Sequence, residues 1–395
     1  MPKRSDHHGE RDPEKVVLIS ALITVATVLV SVGALASFAI ALEWRNFWPE
    51  AGQPIATALG GVAVLGGGTL ALLNGRRQRV ADREVADGQA NRDTTKELNA
   101  RFITATSQFA DTVPTIRLAG AYALAALADD WTVHGRKGER QVCIDVLCSY
   151  LRSRNRHDIQ LGLEDPSDTD LRKTVQRIIA EHLQLSHSTT WRTSNFDFTG
   201  ATFTELDLKG ANFAGSTSFD KCYINGEMFS LANGSFVGQE STFCNAVFAV
   251  DEADFMGAVF DSGNGALFTG SDFSGAGRTN FSGSRFKNFV DFTECDFGEQ
   301  VHFANVSFEA NTSFYKAQFH GWASFENAIF AGAQSIFTLA TFARGCRFDG
   351  ASIPSGGITE SDPTPRLFDV SWWADTQPDT ISPKPWPPNL SDKPV

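Results

Sequence analysis

The side chains able to do chemistry stand far apart. Six cysteines fall at positions 143, 148, 222, 244, 295 and 346 without a CxxC pair, which argues against a zinc ribbon and a dense disulfide framework. Cys143 and Cys148 are five residues apart, about 140° around a helix, too divergent to share a metal and better read as buried thiols. No GxSxG, HExxH, GxGxxG or phosphate-loop pattern occurs. The glycine-rich run from Gly60 to Gly68 lies inside an uncharged stretch and follows no strand, so a nucleotide loop is not expected there. His302 and His320 each adjoin a phenylalanine of the repeat described below, which places them on an outer surface. Arg152, Arg154 and Arg156 would suit an anionic lipid or phosphate, or a solvated helix end. No catalytic constellation, metal site or cofactor site is assembled, so the chain is expected not to be an enzyme.

The elements that carry these residues follow from composition. The chain has 395 residues, a formal net charge of −12, 42% hydrophobic and 20% charged residues. Its length allows several domains. The acidity speaks against a nucleic-acid binder. Phenylalanine occurs 32 times against 4 tyrosines and 3 methionines, and glycine 34 times. Such a bias signals a short unit copied many times.

Two uncharged runs open the chain, Val16–Leu42 and Ile55–Leu73. About 20 apolar residues suffice to cross the hydrocarbon layer. The loop between them holds Trp44, Phe47 and Trp48, rings suited to a membrane–water boundary. Lys3, Arg4, Arg11 and Lys15 precede the first run, and Arg76, Arg77 and Arg79 follow the second. The pattern predicts a tail at 1–15, a two-helix transmembrane hairpin over 16–73 held in the lipid bilayer, and a multi-pass plasma-membrane protein with both termini cytoplasmic. A cleaved signal peptide fits less well, because the apolar region is too long and a second run follows. Small residues recur in steps of three and four, at Ser20, Thr24, Thr27, Ser31 and Ala34 and again at Ala56, Gly60, Ala63, Gly67 and Ala71. They would pack the hairpin, and the same faces would serve homo-oligomerisation. No ionisable residue lies in either run, so an anchor is expected rather than a transporter.

A polar, helix-compatible stalk is expected over 74–110, then a small helical module over 111–190. Its first helix starts at Pro114, with Leu118, Ala121, Leu124 and Ala128 on one stripe. The second covers about 139–153, with Val142, Val146, Leu147, Tyr150 and Leu151, and the third about 170–185, with Leu171, Val175, Ile178, Ile179 and Leu183. Short linkers make these antiparallel neighbours.

Residues 191–353 carry the repeat. Apolar centres come in 14 doublets with an internal step of five: 198/203, 208/213, 219/224, 231/236, 243/248, 255/260, 268/273, 281/286, 292/297, 303/308, 314/319, 325/330, 337/342 and 348/353. Phe203, Phe213, Phe243, Phe248, Phe255, Phe260, Phe273, Phe281, Phe292, Phe303, Phe314 and Phe325 are among them. Two residues earlier the side chain is small, as at Ala201, Ala211, Ala253, Ala258, Ala317 and Ala328. The residue between is often Asp or Asn, as at Asp197, Asp207, Asp254 and Asn280. A straight strand cannot hold this pattern, because an odd step sends successive centres to opposite faces. A helix cannot either, because five residues turn about 140°. The step of two fits extended backbone, followed by a corner. Four such faces close a square coil of roughly 22–24 residues, and seven coils at about 4.8 Å each make a rod of about 34 Å. Phe303→Asp should then collapse the rod by burying a charge, while Asn305→Ala should do little.

The triplets Ala201-Thr-Phe203, Ala211-Asn-Phe213, Ala253-Asp-Phe255 and Ser271-Asp-Phe273 resemble the signature of pentapeptide-repeat proteins. The resemblance implies a mainly β solenoid, a right-handed quadrilateral β-helix of about seven coils, behind the N-terminal hairpin and the helical module. The layout is similar to that of bacterial membrane members of the family. Extra residues at alternate corners depart from the family pattern and predict bulged corners along one edge. The helical module is expected to cap the first coil. The Pro-rich tail 354–395 is expected to be largely disordered, with Phe368, Trp372 and Trp373 available to fold onto the last coil.

These readings lead to a non-enzymatic, membrane-anchored scaffold that binds a protein partner with a basic surface. The rod holds 18 acidic against 9 basic residues between Arg192 and Ser352. Some family members resemble DNA in shape and charge and bind a type II topoisomerase (gyrase), which is the alternative. A membrane sensor or channel-associated subunit is a third.

Overall fold

The computed structural model describes residues 13–41, 88–153, 165–352, 367–369 and 381–382, with a few isolated residues between them. The chain divides into two compact units, Met1–Glu97 and Leu98–Val395. In the first unit, helix α1 covers Pro13–Ala41. Its side chains at Ile19, Ile23, Val30, Leu35, Phe38 and Ile40 are 56–73% exposed. Among the described residues, no helix is long and apolar enough to cross a membrane. The two-span hairpin expected over 16–73 is therefore without structural support, and its second run lies almost entirely outside the described residues.

The second unit opens with helical backbone over 98–109. Helix α2 follows at Pro114–Val133, α3 at Lys137–Arg152 and α4 at Pro166–His182. Pro114 and Pro166 occupy first-turn positions, where a missing N–H is harmless. Asp165 caps α4 by accepting from the Ser167 amide at 2.9 Å. The module's core gathers Leu124, Leu127, Ala128 and Trp131 with Cys143, Ile144, Leu147, Leu151, Leu171, Val175, Ile178 and Leu183. Two expected core positions face solvent instead, Leu118 at 37% and Val142 at 48% exposure. The buried stripe of α3 is centred on Cys143, Ile144, Leu147, Cys148 and Leu151, which turns Val142 outward. Gly120 lies where the 98–109 segment crosses α2; a Cβ there would stand 2.3 Å from the Phe109 amide nitrogen.

The rod is built on four columns of side chains. The first is Phe198, Phe219, Phe243, Phe268, Phe292, Phe314 and Phe337. The second is Phe203, Ile224, Phe248, Phe273, Phe297, Phe319 and Phe342. The third is Leu208, Leu231, Phe255, Phe281, Phe303, Phe325 and Phe348, and the fourth is Phe213, Phe236, Phe260, Phe286, Phe308 and Phe330. Along the first column successive rings are 21 to 25 residues apart, the length of one coil. Within a column the rings lie nearly parallel, as in Phe281–Phe303 at 5.0 Å and 2°. Between columns they meet edge to face, as in Phe255–Phe268 at 5.8 Å and 81°. Both geometries suit the ring quadrupole, so each ring is satisfied by its neighbours above, below and beside it.

Parallel strands of mostly two or three residues link the coils into sheets of eight, twelve and six strands. A square coil would give four sheets. The difference arises in the first three coils, where Thr202–Asp207, Tyr223–Ser230 and Val247–Asp254 run across the corner between the second and third columns and merge two faces. The tail adds to this ladder. Leu367–Asp369 pairs with Gln334–Ile336, and Ile381–Ser382 pairs with Cys346–Arg347, so part of the tail expected to be disordered starts an eighth layer. Phe368 sits in the first of these strands, whereas Trp372 and Trp373 lie outside the described residues.

The corners are of two kinds. After every centre of the first and third columns the chain turns tightly. In all 14 cases the amide three residues on donates to the carbonyl of the centre, at 2.8–3.4 Å. The residue two beyond the centre has a positive φ in every case: glycine at 200, 210, 257, 270, 283 and 350, asparagine at 233, 245, 305 and 327, and Lys221, Glu294, Lys316 and Leu339. This is a turn with its third residue left-handed, and it sets the step of five. After the second and fourth columns the step varies from five to eight. The bulged corners thus fall on two opposite edges, not on one.

Candidate functional site

The cap and the first coil meet through a set of polar contacts. Arg152 of α3 pairs with Asp197 at 3.0 Å, so it is engaged by the rod; Arg154 and Arg156 lie outside the described residues. Lys173 of α4 pairs with Glu205 at 3.3 Å, and Gln184 donates to the Lys209 carbonyl at 2.9 Å. Trp191, fully buried at the entry to the rod, donates through Nε1 to Asp129 at 2.8 Å and stacks on His182 at 3.9 Å. Inside the module, Asp168 gathers Arg117 at 3.1 Å, Arg172 at 2.8 Å and the Tyr150 hydroxyl at 2.7 Å. Burial alone would raise the Asp168 carboxyl, but the bonds from Tyr150, Arg172 and Arg117 outweigh it and hold the group below its ordinary value. Burial and Asp168 push the Tyr150 hydroxyl upward.

An open groove of about 410 Å³ runs between α4 and the first coil, lined by Lys173, Gln176, Arg177, Glu181, Asp207 and Lys209 among others. Its cations are largely committed. Lys173 holds Glu205, and Arg177 holds Glu181 at 3.2 Å and donates to the Tyr122 hydroxyl at 2.7 Å. The groove serves the cap junction better than it would serve a charged ligand.

The repeat residues form the interior. Phe203, Phe213, Phe243, Phe248, Phe255, Phe260, Phe273, Phe281, Phe292, Phe303, Phe314 and Phe325 are 0–2% exposed, and Ala201, Ala211, Ala253, Ala258, Ala317 and Ala328 are all 0% exposed. They place the surface and do not contribute to it. Where the small residue is polar it has a defined partner. Cys222 and Cys295 donate through sulfur to the carbonyls of Phe198 and Phe268 at 3.0 and 2.9 Å, and Ser284 donates to that of Phe255 at 2.7 Å. Thiol and hydroxyl therefore do the same job, each bonding the carbonyl of a centre one coil below. The six cysteines are free, and all but Cys244 are buried. Burial pushes the Cys143 and Cys148 thiols up to about 12. Among the described residues no His, Cys, Asp or Glu group is arranged to hold a metal.

The outer surface of the rod is polar, and much of its acidity is structural. Asp197, Asp207, Asp254 and Asp291 each accept from the backbone amide two residues on, at 2.9–3.0 Å, bracing the tight corners. Asn280 does so as well, and Ser218, Ser230, Ser313 and Ser324 do so with their hydroxyls. Single-sequence reading sees Asp and Asn recur before a centre, but not that serine fills the same role. His320 pairs with Asp296 on the outside. His302 is half-buried, and that burial, helped by Arg278, lowers its pKa.

Charge is uneven along the rod. Residues 192–260 hold nine acids and three Lys or Arg, net −6; residues 261–352 hold nine and six, net −3. In the second half every Lys or Arg is paired with an acid: Arg278–Glu252, Arg285–Glu309, Lys287–Asp261, Lys316–Glu294, Arg344–Glu299 and Arg347–Glu326. These pairs tie neighbouring or next-neighbouring coils together. The uncompensated negative charge is thus concentrated in the first three coils.

The chain matches the family of pentapeptide repeats in eight copies, with residues 193–217 matched. No curated protein and no solved structure matches it.

Proposed function

We propose that this chain, which belongs to the pentapeptide-repeat family, works as a non-catalytic protein-interaction scaffold tethered to the cell membrane with its rod in the cytoplasm. The observation that carries the reading is the rod itself. Its interior is filled by stacked rings, and its surface is a rigid, acidic ladder whose spare charge gathers next to the helical cap. Such a surface favours a basic partner, through encounter rate and orientation more than through affinity alone.

Anchoring draws on the sequence of α1. Val16–Leu42 carries no charge. The polar side chains at Thr27, Ser31 and Ser37 turn back to carbonyls four residues earlier at 2.8 Å, which hides their hydroxyls from an apolar medium. Exposed Ile19, Ile23, Val30 and Phe38 are at home in lipid and costly in water. The DNA-like alternative receives less support, because ion pairs between coils interrupt the negative charge over the second half of the rod.

Two measurements test the reading. Full-length protein should stay in the membrane fraction through alkaline carbonate extraction, and Asn46→Cys should react with an impermeant maleimide from outside intact cells. Release by carbonate removes the anchor. Cross-linking in the native cell followed by mass spectrometry should recover partners through rod residues. Recovery through the helical module alone would overturn the scaffold role of the rod.

A further inference from the structure

We propose that the sheet face formed by Thr202–Asp207, Tyr223–Ser230 and Val247–Asp254 is the docking surface for a basic amphipathic segment of a partner protein, an assignment that rests on the scaffold reading above. These strands cross the variable corner of the first three coils, and Tyr223–Ser230 pairs with Val247–Asp254 in continuous register from Tyr223↔Val247 to Ser230↔Asp254. The core does not require their length. A step of five closes this corner in the first coil and a step of six in the last three, whereas the second and third coils use seven. The added length brings Glu227, Met228 and Asp251 to the exposed surface.

Those residues have no structural duty of the kind found elsewhere. Gly226 pairs with Val250 and Met228 with Glu252, so Glu227 and Asp251 stand side by side on adjacent strands. Like charges in that arrangement repel. Neither carboxylate has a hydrogen-bond or ion-pair partner among the described residues, in contrast to Glu252, which holds Arg278 at 3.3 Å, and Glu205, which holds Lys173. The second observation is apolar. Met228 lies on this face at 38% exposure, and Met256, in the tight corner that follows it after Phe255, is 44% exposed. Methionine is flexible and polarisable, and it recurs at surfaces that accept apolar side chains of varied shape. Two uncompensated carboxylates beside the exposed Met228 thioether, with Met256 two residues past the end of Val247–Asp254, match a segment with Lys or Arg on one side and aliphatic residues on the other. A nucleic acid would be repelled, and a purely basic tail would leave the methionines unused.

The test uses the full-length chain in mild detergent and a fluorescent 18-residue Lys/Leu helical peptide, read by anisotropy at low salt. Every variant carries the same detergent belt, so differences between variants report the rod. Glu227→Lys with Asp251→Lys should weaken binding roughly tenfold or more. Glu240→Lys with Glu309→Lys, the same charge change on the opposite edge, should alter it less than about twofold. Met228→Ser with Met256→Ser should weaken it roughly threefold. Carbodiimide should join the peptide lysines to Glu227 and Asp251 ahead of other acids. Equal weakening by the two charge reversals would overturn the docking site while leaving an acidic scaffold in place. Binding untouched by either reversal, or absent in the parent protein, would overturn both. An unchanged methionine variant would reduce the partner to a plain polycation and sink the amphipathic assignment.

Discussion

The tight corners repeat one solution 14 times, whereas the variable corners use four different lengths. After the first and third columns, step, hydrogen bond and left-handed residue are the same throughout. After the second and fourth, steps of five to eight occur and strands range from two to eight residues. The tight corners set the angle between faces and so cannot vary without moving the ring columns. The variable corners need only return the chain to the next column, so extra residues there reach solvent. Sequence freedom, and with it room for recognition, lies at the second kind. The cluster of Glu227, Met228 and Asp251 belongs to it.

Five substitutions at four positions probe this contrast. The largest effect should come from the columns that both kinds of corner serve. Phe303→Asp puts a charge in a position with 0% exposure and should cost more than about 4 kcal/mol, seen as loss of the β-solenoid circular dichroism signal at room temperature. A folded variant with an ordinary melt would place Phe303 on the surface and undo the register.

Next is a variable corner that is free in length but not in clearance. At Gly321 an added Cβ would lie 1.8 Å from the Glu299 carbonyl oxygen of the coil below. Gly321→Ala should destabilise by about 2–3 kcal/mol because backbone must move. A melt within a degree of the parent would show that these corners yield.

Asn305→Ala follows. The sequence reading expects little from it, but Asn305 has φ +57°. Alanine there should cost about 1 kcal/mol, while Asn305→Gly should be neutral or better. Chemical denaturation of the two variants side by side separates them, and equal midpoints would deny the turn its strain.

The smallest effect has the opposite sign. Leu339 has φ +60° and is 53% exposed, so Leu339→Gly should gain about 0.5 kcal/mol, the relief of strain exceeding the added chain entropy. A lower melting temperature would mean that the leucine side chain holds its corner by contact.

Much of the architecture could be read from spacing. A repeat of five with a small residue two before each centre admits extended backbone with regular corners and excludes helix and flat sheet. That logic locates Phe203 to Phe325 and Ala201 to Ala328 without coordinates. The amphipathic helices were legible from their apolar stripes and from Pro114, although the third starts at Pro166, ahead of the expected 170, and Val142 shows that a stripe one residue out of phase looks equally good on paper. In the tail, two short strands, one of them holding Phe368, pair with the exposed edge of the ladder, a contact that proline content does not signal. The docking face was not legible at all. Glu227 and Asp251 are 24 residues apart in sequence, and only the stacking of two coils makes them neighbours.

By itself the sequence determined the period, the interior side chains and the number of coils, because burial of an apolar centre, usually a benzyl group, every five to eight residues is a local, one-dimensional constraint. The tertiary structure decided which corners are alike, which acids brace turns and which remain unpaired, and which surface residues stand beside one another. Those properties depend on the register between coils, set by hydrogen bonds and ring stacking across 21 to 26 residues of chain, and no local pattern encodes a distance of that kind.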